Sequence, residues 1–409
     1  MPPEFQPGGA SDDRKWTVMV FMGADTIAGN APLIDSAEAD LAEMRSVGSG
    51  SKLNIFVQVH RGQNTVPRRG QITSGMLPGI EALEPVSPDE ADPARGRALE
   101  SFILDALTKA DYRAGAQNHH VMLVLWGHAY DFAIGREHTR GGTIDALDFA
   151  ELSRVLENLQ RRFGATGAKL DILGFDACDL ATVEMAYQLQ PFAKYLLGSQ
   201  IGIPLPGWPY DRVLDRLRTP YGSVMGPAEL GSYIVRRFCE SYSAQSRTVS
   251  LTLLDLNRAQ DLADVTQVLA LTLATAISNP DARDQIAYLF SQSRTAPGRP
   301  YVDVADLCLN LVRSSGNTFV IEAARTVGDF LLSPQPVVVG ESETGAGRPF
   351  IVEHGRNTGL TARLNGLSIY APHVVPGRDF NAVRHLYENF TFAQETQWNG
   401  LVHALARRA

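Results

Sequence analysis

Apolar residues in the first half of the chain form short continuous runs that alternate with segments of helical spacing. The continuous runs predict buried strands over residues 16–25, 52–62, 119–131, 169–178 and 194–200. Apolar positions at helical spacing predict helices over residues 31–48, 94–110, 145–164 and 179–192. Because the strands are apolar throughout rather than alternating, the pattern indicates an α/β fold with a mostly parallel sheet flanked by helices.

The pattern changes after about residue 225, where helical spacing dominates. It predicts helices over residues 228–245, 257–278, 281–293, 302–314, 317–332 and 380–408, with strands over 334–340 and 364–372. Polar residues with several Pro and Gly fill the first fifteen positions and predict disorder. We therefore predict a disordered N-terminus (residues 1–15), an α/β domain (16–225) and a C-terminal helical or α+β region (226–409) packed on that domain.

The composition is typical of a globular protein that can bury a large core, with 44% hydrophobic and 20% charged residues in a chain of 409. The formal net charge of −8 argues against a nucleic-acid-binding surface, which usually carries a basic balance, and leaves room for basic substrates. No apolar run approaches ~20 residues, so we predict no membrane span. The N-terminus lacks a basic segment followed by an apolar one, so we predict no secretory signal and a cytoplasmic protein.

The three cysteines, Cys178, Cys239 and Cys308, are far apart and include no CxxC pair. This arrangement argues against a disulfide framework or a cysteine zinc site, and it favours a reducing compartment. His119 and His120 precede a strand, but no carboxylate–histidine spacing accompanies them, so we predict solvated surface residues and no metal site. Cys239 and Cys308 lie in apolar helical patterns and are predicted to be core residues.

Two chemically active side chains follow neighbouring strand predictions. His128 lies just past the third predicted strand and Cys178 just past the fourth, where adjacent parallel strands would place both on one rim. A cysteine thiolate is a strong nucleophile for acyl transfer, and a histidine can take its proton and return it to the leaving amine. The helix predicted directly after Cys178 would point backbone N–H groups at the thiolate. The N–H groups of Gly127 and Cys178 are candidates for an oxyanion hole.

The separation of 178 − 128 = 50 residues matches the spacing of about 50 between histidine and cysteine in caspases. These residues lie in a set of stretches that resembles the clostripain-like cysteine peptidases, a branch of the caspase-like superfamily. The stretches are WTVMVFMGAD (16–25), LVLWGHAYD (123–131), DILGFDACDLATVEMAYQL (171–189), GSQIGIPLPGWPYDRVL (198–214), YVDVADLC (301–308), GLSIYAP (366–372) and FAQETQW (392–398). The resemblance covers roughly residues 16–400. It implies a caspase-like sheet, with His128 and Cys178 as a catalytic dyad that works through an acyl-enzyme.

The resemblance also implies a substrate site. It places Asp176, two residues before the nucleophile, at the floor of the S1 pocket, where a carboxylate would pair with a substrate Arg or Lys. It implies that residues 199–210 form one wall of the cleft, beginning with Ser199, and that Trp208 is an apolar contact in that wall, with a place in the core as the alternative. The expected activity is therefore cleavage of protein or peptide substrates after a basic P1 residue.

Relatives are commonly activated by cleavage between the histidine and the cysteine, and Arg136 and Arg140 are the candidates for self-cleavage in this chain. A calcium requirement occurs among relatives, but this sequence shows no compact Asp/Glu ligand loop, so it leaves calcium open and indicates no other cofactor. The family often has Asn-His-Gly-Gly around the histidine, whereas this chain has GHAY at positions 127–130.

Asp25 and Arg61 each follow a strand on the same rim. Asp25 is a candidate second acidic contact for a basic substrate, with a role in a turn as the alternative. Arg61 is the candidate for the opposite specificity, selection of an acidic P1 residue, which Asp176 beneath the same pocket would oppose. We predict a cysteine endopeptidase that acts on a specific intracellular protein, for example in a bacterial defence or cell-death pathway. The alternatives are a caspase-type protease with a different P1 preference and a catalytically silent, peptide-binding pseudo-protease, which the altered GHAY stretch supports.

Overall fold

The computed structural model describes residues 15–24, 33–62, 65–87, 96–113, 116, 118–130, 132–138, 144–162, 169–245, 247–296, 298–332, 349–357, 364–375 and 381–406. The strands are β1 (Lys15–Gly23), β2 (Leu53–His60), β3 (Arg68–Gln71), β4 (Glu84–Pro85), β5 (His119–Gly127), β6 (Ala129–Tyr130), β7 (Ala133–His138), β8 (Ile144–Asp148), β9 (Leu170–Asp176), β10 (Ala193–Gly198), β11 (Ser250–Asp255), β12 (Tyr301–Asp303), β13 (Ile351–Arg356) and β14 (Ser368–Tyr370). The helices are α1 (Ile34–Val47), α2 (Gly96–Lys109), α3 (Phe149–Arg162), α4 (Val183–Leu189), α5 (Tyr210–Arg218), α6 (Pro220–Ser223), α7 (Pro227–Ser241), α8 (Ala259–Ala276), α9 (Pro280–Gln292), α10 (Val304–Ser314), α11 (Thr318–Leu332), α12 (Asn381–Glu388), α13 (Thr391–Glu395) and α14 (Trp398–Ala406).

Nine strands form one sheet in the order β13-β11-β10-β9-β5-β1-β2-β3-β4. The five central strands are parallel to one another. Antiparallel pairs extend the sheet at both ends. This arrangement, with helices on both faces, confirms the predicted α/β fold with a mostly parallel sheet. Two small sheets, β6-β7-β8 and β12-β14, are separate from it.

Alternate side chains of the central strands pack against different helix layers. In β1, Val18 and Val20 face the layer that contains α1, α5 and α7. Met19 and Phe21 face the other layer, which contains α2, α3 and α4 together with C-terminal helices. Because both faces are covered, the central strands are buried on both sides, and this explains their continuous apolar sequence.

The chain beyond residue 225 shares this sheet and its core. Strands β11 and β13 extend the sheet beside β10. Buried side chains of α8, α10 and α14 belong to the same apolar cluster as those of α2, α3 and α4. The predicted boundary at 225/226 therefore passes between two parts of one sheet, and the C-terminal region contributes strands to it as well as helices that pack on it.

Local structure between the third and fourth predicted strands differs from the prediction. Between the predicted strand that ends at residue 131 and the predicted helix that begins at residue 145, the chain forms β7, which pairs with β8. The helix predicted from residue 145 begins only at Phe149, because the preceding residues form β8 and Asp148 Oδ1 accepts a hydrogen bond from Glu151 N at 2.7 Å. The strand predicted over residues 334–340 lies outside the described residues. Among the helices of the described ranges, none combines the length and apolarity that crossing a bilayer requires.

Candidate active site

The register of β5 and β9 determines where the two predicted catalytic residues lie. These strands are adjacent and parallel, and Trp126 of β5 pairs with Asp176 of β9. His128 and Cys178 each follow two residues later, so the two residues leave the sheet side by side at its carboxyl edge. Neighbouring strands are about 4.8 Å apart, a separation that the two side chains can bridge. The predicted adjacency of the two strands is confirmed.

Cys178 is half-buried at this edge, and its Sγ accepts a hydrogen bond from Ile203 N at 3.3 Å. Burial raises the pKa of the Cys178 thiol, and the carboxylate of Asp179 raises it further. The N–H group of Ile203 and the guanidinium of Arg299 act in the opposite direction. The resting structure therefore favours the thiol, so ionisation needs a base at the same rim, the position that His128 occupies.

The helix after the cysteine begins later than predicted. Helix α4 starts at Val183, and the Thr182 side chain is its N-cap. Asp179 has a left-handed backbone with φ of 60°, and the turn it forms separates Cys178 from the helix. The prediction that a helix N-terminus faces the thiolate is therefore wrong. The N–H group at the sulfur comes instead from Ile203, on the loop after β10.

The space around Gly127, the last residue of β5, leaves no room for a side chain. Its φ is 143°, and a Cβ at this position would lie 2.8 Å from the carbonyl oxygen of Gly23 on β1. A side chain would push apart the ends of two hydrogen-bonded strands next to His128. The role of the Gly127 N–H group in an oxyanion hole stays a prediction.

Asp176 is part of a buried acidic cluster below the nucleophile. Its side chain is 4% exposed, and Oδ2 accepts hydrogen bonds from Trp208 N at 3.0 Å and from the Tyr210 hydroxyl at 3.1 Å. Asp40 of α1 accepts a hydrogen bond from Trp126 Nε1 at 2.8 Å. Burial raises the pKa of both carboxyls, and the charge of Asp176 raises that of Asp40 further. Desolvation and the nearby like charge therefore favour protonation of Asp40 at neutral pH.

Ser199 and Trp208 belong to the protein interior. Ser199 is fully buried, and its Oγ accepts a hydrogen bond from Ile201 N at 3.2 Å. Trp208 is 1% exposed and packs against Gly174 in the middle of β9, where a Cβ would lie 2.7 Å from the indole Cη2. Because Gly174 leaves room for the indole, both side chains support the loop over residues 199–209 from below. For Ser199 the structure thus differs from the prediction of a cleft surface, and for Trp208 it favours the alternative of a core residue.

The clostripain family, a family of C11 peptidases, matches this sequence over residues 20–403. The chain belongs to the clostripain family. Clostripain of Hathewaya histolytica is 27% identical over 214 residues, a region that covers 43% of this chain and 38% of clostripain. The chain therefore matches well under half the length of that relative. The resemblance to clostripain-like cysteine peptidases is confirmed.

Solved structures of C11 proteases share the fold. A secreted C11 cysteine protease from Bacteroides thetaiotaomicron, in complex with an irreversible peptide inhibitor, superposes with a TM-score of 0.59 at 16% identity, covering 95% of this chain and 99% of that chain. An inactive zymogen C11 protease from Parabacteroides distasonis gives a TM-score of 0.59 at 15% identity, covering 94% and 98%. At these identities the similarity concerns the fold, and it confirms the predicted fold class.

The structure describes only some of the other predicted site residues. Asp25 and Arg140 lie outside the described residues, so their roles stay predictions. Arg136 is in β7, at the register shift between the pairs that β7 makes with β8. Arg61, at the end of β2, forms an ion pair with Glu81, with Nη1 and Oε1 2.5 Å apart, and the same carboxylate also pairs with Arg68.

His119 and His120 are not the solvated surface residues that the sequence predicts. His119 is 4% exposed and its Nε2 is 2.8 Å from Thr17 Oγ1. His120 Nδ1 is 3.4 Å from Asp171 Oδ1, which also accepts a hydrogen bond from Lys194 at 2.9 Å. Burial opposes ionisation of Asp171, but these two partners outweigh it and hold its pKa below the usual range. In the described part of the chain, no three potential metal ligands come together.

The sequence analysis missed a hydrogen-bonded group that fixes the loop after β10. Gln200 Nε2 donates to Asp303 Oδ2 at 2.9 Å, and Gln200 Oε1 accepts from Gly366 N at 2.6 Å. No local pattern connects residues more than a hundred positions apart. One feature of the sequence does connect Gln200, Asp303 and Gly366. Each lies in a stretch that carries the family resemblance, namely 198–214, 301–308 and 366–372.

Proposed function

We propose that this protein is a cysteine endopeptidase that cleaves peptide bonds after Arg or Lys, with His128 and Cys178 as the catalytic dyad. The observation that supports it best is the parallel register of β5 and β9, which puts the two residues side by side at the carboxyl edge of the sheet. Membership of the clostripain family supports the assignment of this pair as the nucleophile and the base of a cysteine peptidase.

In the proposed reaction, His128 takes the proton of the Cys178 thiol while the sulfur attacks the scissile carbonyl carbon. The N–H groups of Gly127 and Cys178 donate to the oxyanion. As the C–N bond breaks, His128 returns the proton to the leaving amine, and a thioester acyl-enzyme remains. A water molecule that gives its proton to His128 then hydrolyses the thioester and restores the thiol.

A basic P1 residue fits the buried acidic cluster. Asp176 lies two residues before Cys178, and Asp40 and Glu43 of α1 lie near it; burial raises the pKa of all three carboxyls. A substrate guanidinium or ammonium that reaches Asp176 would favour the ionised carboxylates, so binding of a basic side chain is linked to release of a proton from these carboxyls. Because the 204–209 segment covers Asp176 in the resting structure, we propose that this segment moves when P1 enters.

Matched fluorogenic peptides that end in Arg, Lys, Asp or Ala test the proposal, each with and without calcium. Hydrolysis of the Arg and Lys peptides by the wild type and its loss in Cys178→Ala is the expected result, with Cys239→Ala as a matched control that keeps activity. Hydrolysis of the Asp peptide would move the selection of P1 to Arg61. An unmodified, correctly folded protein that cleaves none of them, even after limited proteolysis, would favour a peptide-binding pseudo-protease.

Self-cleavage between His128 and Cys178 is part of the proposal. Arg136 is its better-supported position, because the strand pairing of β7 with β8 is interrupted between Ile134 and Glu137, and proteases bind substrate chains in extended, unpaired form. Intact mass measurement of wild type and Cys178→Ala gives a direct test. Two fragments from the wild type and one chain from the variant are expected, whereas an active wild type that stays intact would contradict self-cleavage.

The cytoplasmic location and a role in bacterial defence or cell death remain proposals from the sequence. The B. thetaiotaomicron relative is described as secreted, so location is the first point to test. Fractionation of cells that express the native gene, followed by inspection of the neighbouring genes, distinguishes an intracellular protease with a dedicated target from an exported one.

A further inference from the structure

Arg299 and Asp179 form an ion pair next to the nucleophile. Asp179 directly follows Cys178 in the chain, and its Oδ2 is 3.0 Å from Nη1 of Arg299. The Asp179 side chain is 8% exposed and that of Arg299 is 46% exposed. The carboxylate is thus held inside the protein beside the sulfur, while the guanidinium covers it from the solvent side.

The arginine comes from the C-terminal part of the chain, on the hairpin between α9 and β12. This hairpin is held by hydrogen bonds from Thr295 N to Tyr301 O at 3.1 Å and from Ala371 N to Pro300 O at 2.8 Å. The position of Arg299 is therefore fixed by the β12-β14 sheet and not by the nucleophile segment itself.

We propose that Arg299 is a positioning residue for the Cys178 thiolate: its guanidinium holds Asp179 in an ion pair and supplies positive charge near the sulfur. The inference rests on the proposed function only in taking Cys178 as the nucleophile. Without the arginine, the carboxylate one residue from the sulfur would lose this cationic partner and would oppose more strongly the thiolate that attack requires.

The charged groups around the sulfur come from several elements. Asp176 ends β9, Asp179 is in the following turn, His128 follows β5, and Arg299 is on the hairpin before β12. The loop after β10 adds the N–H group of Ile203, at 3.3 Å from Sγ. Asp176, Asp179 and Arg299 all act electrostatically on the Cys178 thiol, and removing either member of the Arg299–Asp179 pair changes the local charge by one unit, in opposite directions.

The rate of Cys178 alkylation by iodoacetamide, measured by peptide mass spectrometry from pH 5 to pH 10, tests the proposal without requiring turnover. Since each unit of pKa shift changes the thiolate fraction about tenfold at a pH below the pKa, Arg299→Gln is expected to slow alkylation at least about threefold there, and Asp179→Asn to accelerate it. The double variant should lie closer to wild type than either single variant, and Arg299→Lys should retain most of the wild-type profile.

Arg294→Gln is the matched control. Arg294 is on the same hairpin and its replacement removes the same charge, but its guanidinium donates to the backbone carbonyls of Ser291 and Val374. Its alkylation profile should coincide with that of the wild type. A merely structural role for Arg299 would lower hydrolysis at every pH and leave the alkylation profile in place, and that result would overturn the proposal.

If Arg299→Gln does not fold, the Asp179→Asn variant still tests the proposal. An unchanged rate of Cys178 alkylation in that variant would refute the idea that the Arg299–Asp179 pair controls formation of the thiolate. Peptide hydrolysis is measured in parallel on the same samples. Shifted alkylation profiles in a protein that cleaves no peptide would leave the ion-pair inference standing and count against the proposed function, while coincident profiles in an active protease would do the reverse.

Discussion

Replacement of Gly207 by alanine tests whether the buried Asp176 carboxyl is fixed by the loop above it. Gly207 has φ of +61°, and an added Cβ would lie 2.7 Å from Asp176 Oδ2 and 3.3 Å from Oδ1. The carboxyl has little freedom to yield, because Oδ2 is already bonded to Trp208 N and the Tyr210 hydroxyl. The Gly207 carbonyl is also fixed, accepting a hydrogen bond from the Tyr242 hydroxyl at 2.9 Å.

The expected cost has two parts that a control can separate. A non-glycine residue in the left-handed region costs about 1–2 kcal/mol, and overpacking a filled interior adds about 1–3 kcal/mol. Gly316 has φ of +67° and open space around its Cβ position, so Gly316→Ala should lose the first part alone. Gly207→Ala should therefore be less stable than Gly316→Ala by about 1–3 kcal/mol.

Urea unfolding followed by tryptophan fluorescence measures both free energies, and the Arg-peptide assay measures the functional effect. A carboxyl displaced by about 1 Å from the floor of the proposed S1 pocket should lower kcat/KM for Arg peptides about tenfold to a hundredfold, whereas Gly316→Ala should leave it unchanged. Equal stability losses in the two variants, together with an unaltered kcat/KM in Gly207→Ala, would refute the reasoning that the loop fixes Asp176.

Three further substitutions test the buried carboxyls. Burial raises the pKa of Asp40 from 3.8 to about 9 in the folded protein. Its contribution to the free energy of unfolding is therefore fully present below pH 3.8 and declines as the pH rises toward 9. Asp40→Asn should flatten the fall in unfolding free energy between pH 5 and pH 9. The pKa of Asp171 is depressed, so its contribution is present above the unfolded value and is lost as pH falls; Asp171→Asn should cost about 1–3 kcal/mol at pH 7 and lose less than the wild type on acidification to pH 3. Asp303→Ala removes the acceptor that binds Gln200 Nε2 and both the backbone and side-chain N–H groups of Asn365, so it should cost about 1–3 kcal/mol in urea unfolding and lower kcat more than it raises KM.

The position of the proposed catalytic pair at the carboxyl edge of the sheet could be predicted because it depends on local patterns. Continuous apolar runs identify parallel strands, and in such a sheet the residue after a strand lies on the ligand-binding edge. His128 and Cys178 both follow this rule, which is why their juxtaposition in the sheet needed no knowledge of the loops. The strand order was the missing fact, and the pairing of β5 with β9 supplied it.

The parts that were predicted incorrectly depend on contacts between distant residues. The segment after Cys178 has helix-forming residues from position 179 onward, yet tertiary contacts keep Asp179 left-handed and delay the helix to Val183. Trp208 could not be assigned to the cleft or to the core until the space left by Gly174 was known. No sequence pattern distinguishes Asp40, and its burial and its hydrogen bond from Trp126 Nε1 appear only in the structure.

Contacts from the C-terminal half of the chain hold the segments around Cys178 in place. The sequence patterns assigned that half to a separate region. The turn over residues 177–182 lacks regular secondary structure, so its backbone groups need partners elsewhere. Ala181 O accepts a hydrogen bond from Ser368 N at 2.9 Å, Arg299 holds Asp179, and Asp303 holds Gln200 three residues before the Ile203 N–H group that reaches the sulfur. Each contact joins the C-terminal half to a segment within a few residues of the sulfur or its donor. Residues 16–225 alone would therefore leave this turn without two of its supports and the loop after β10 without one.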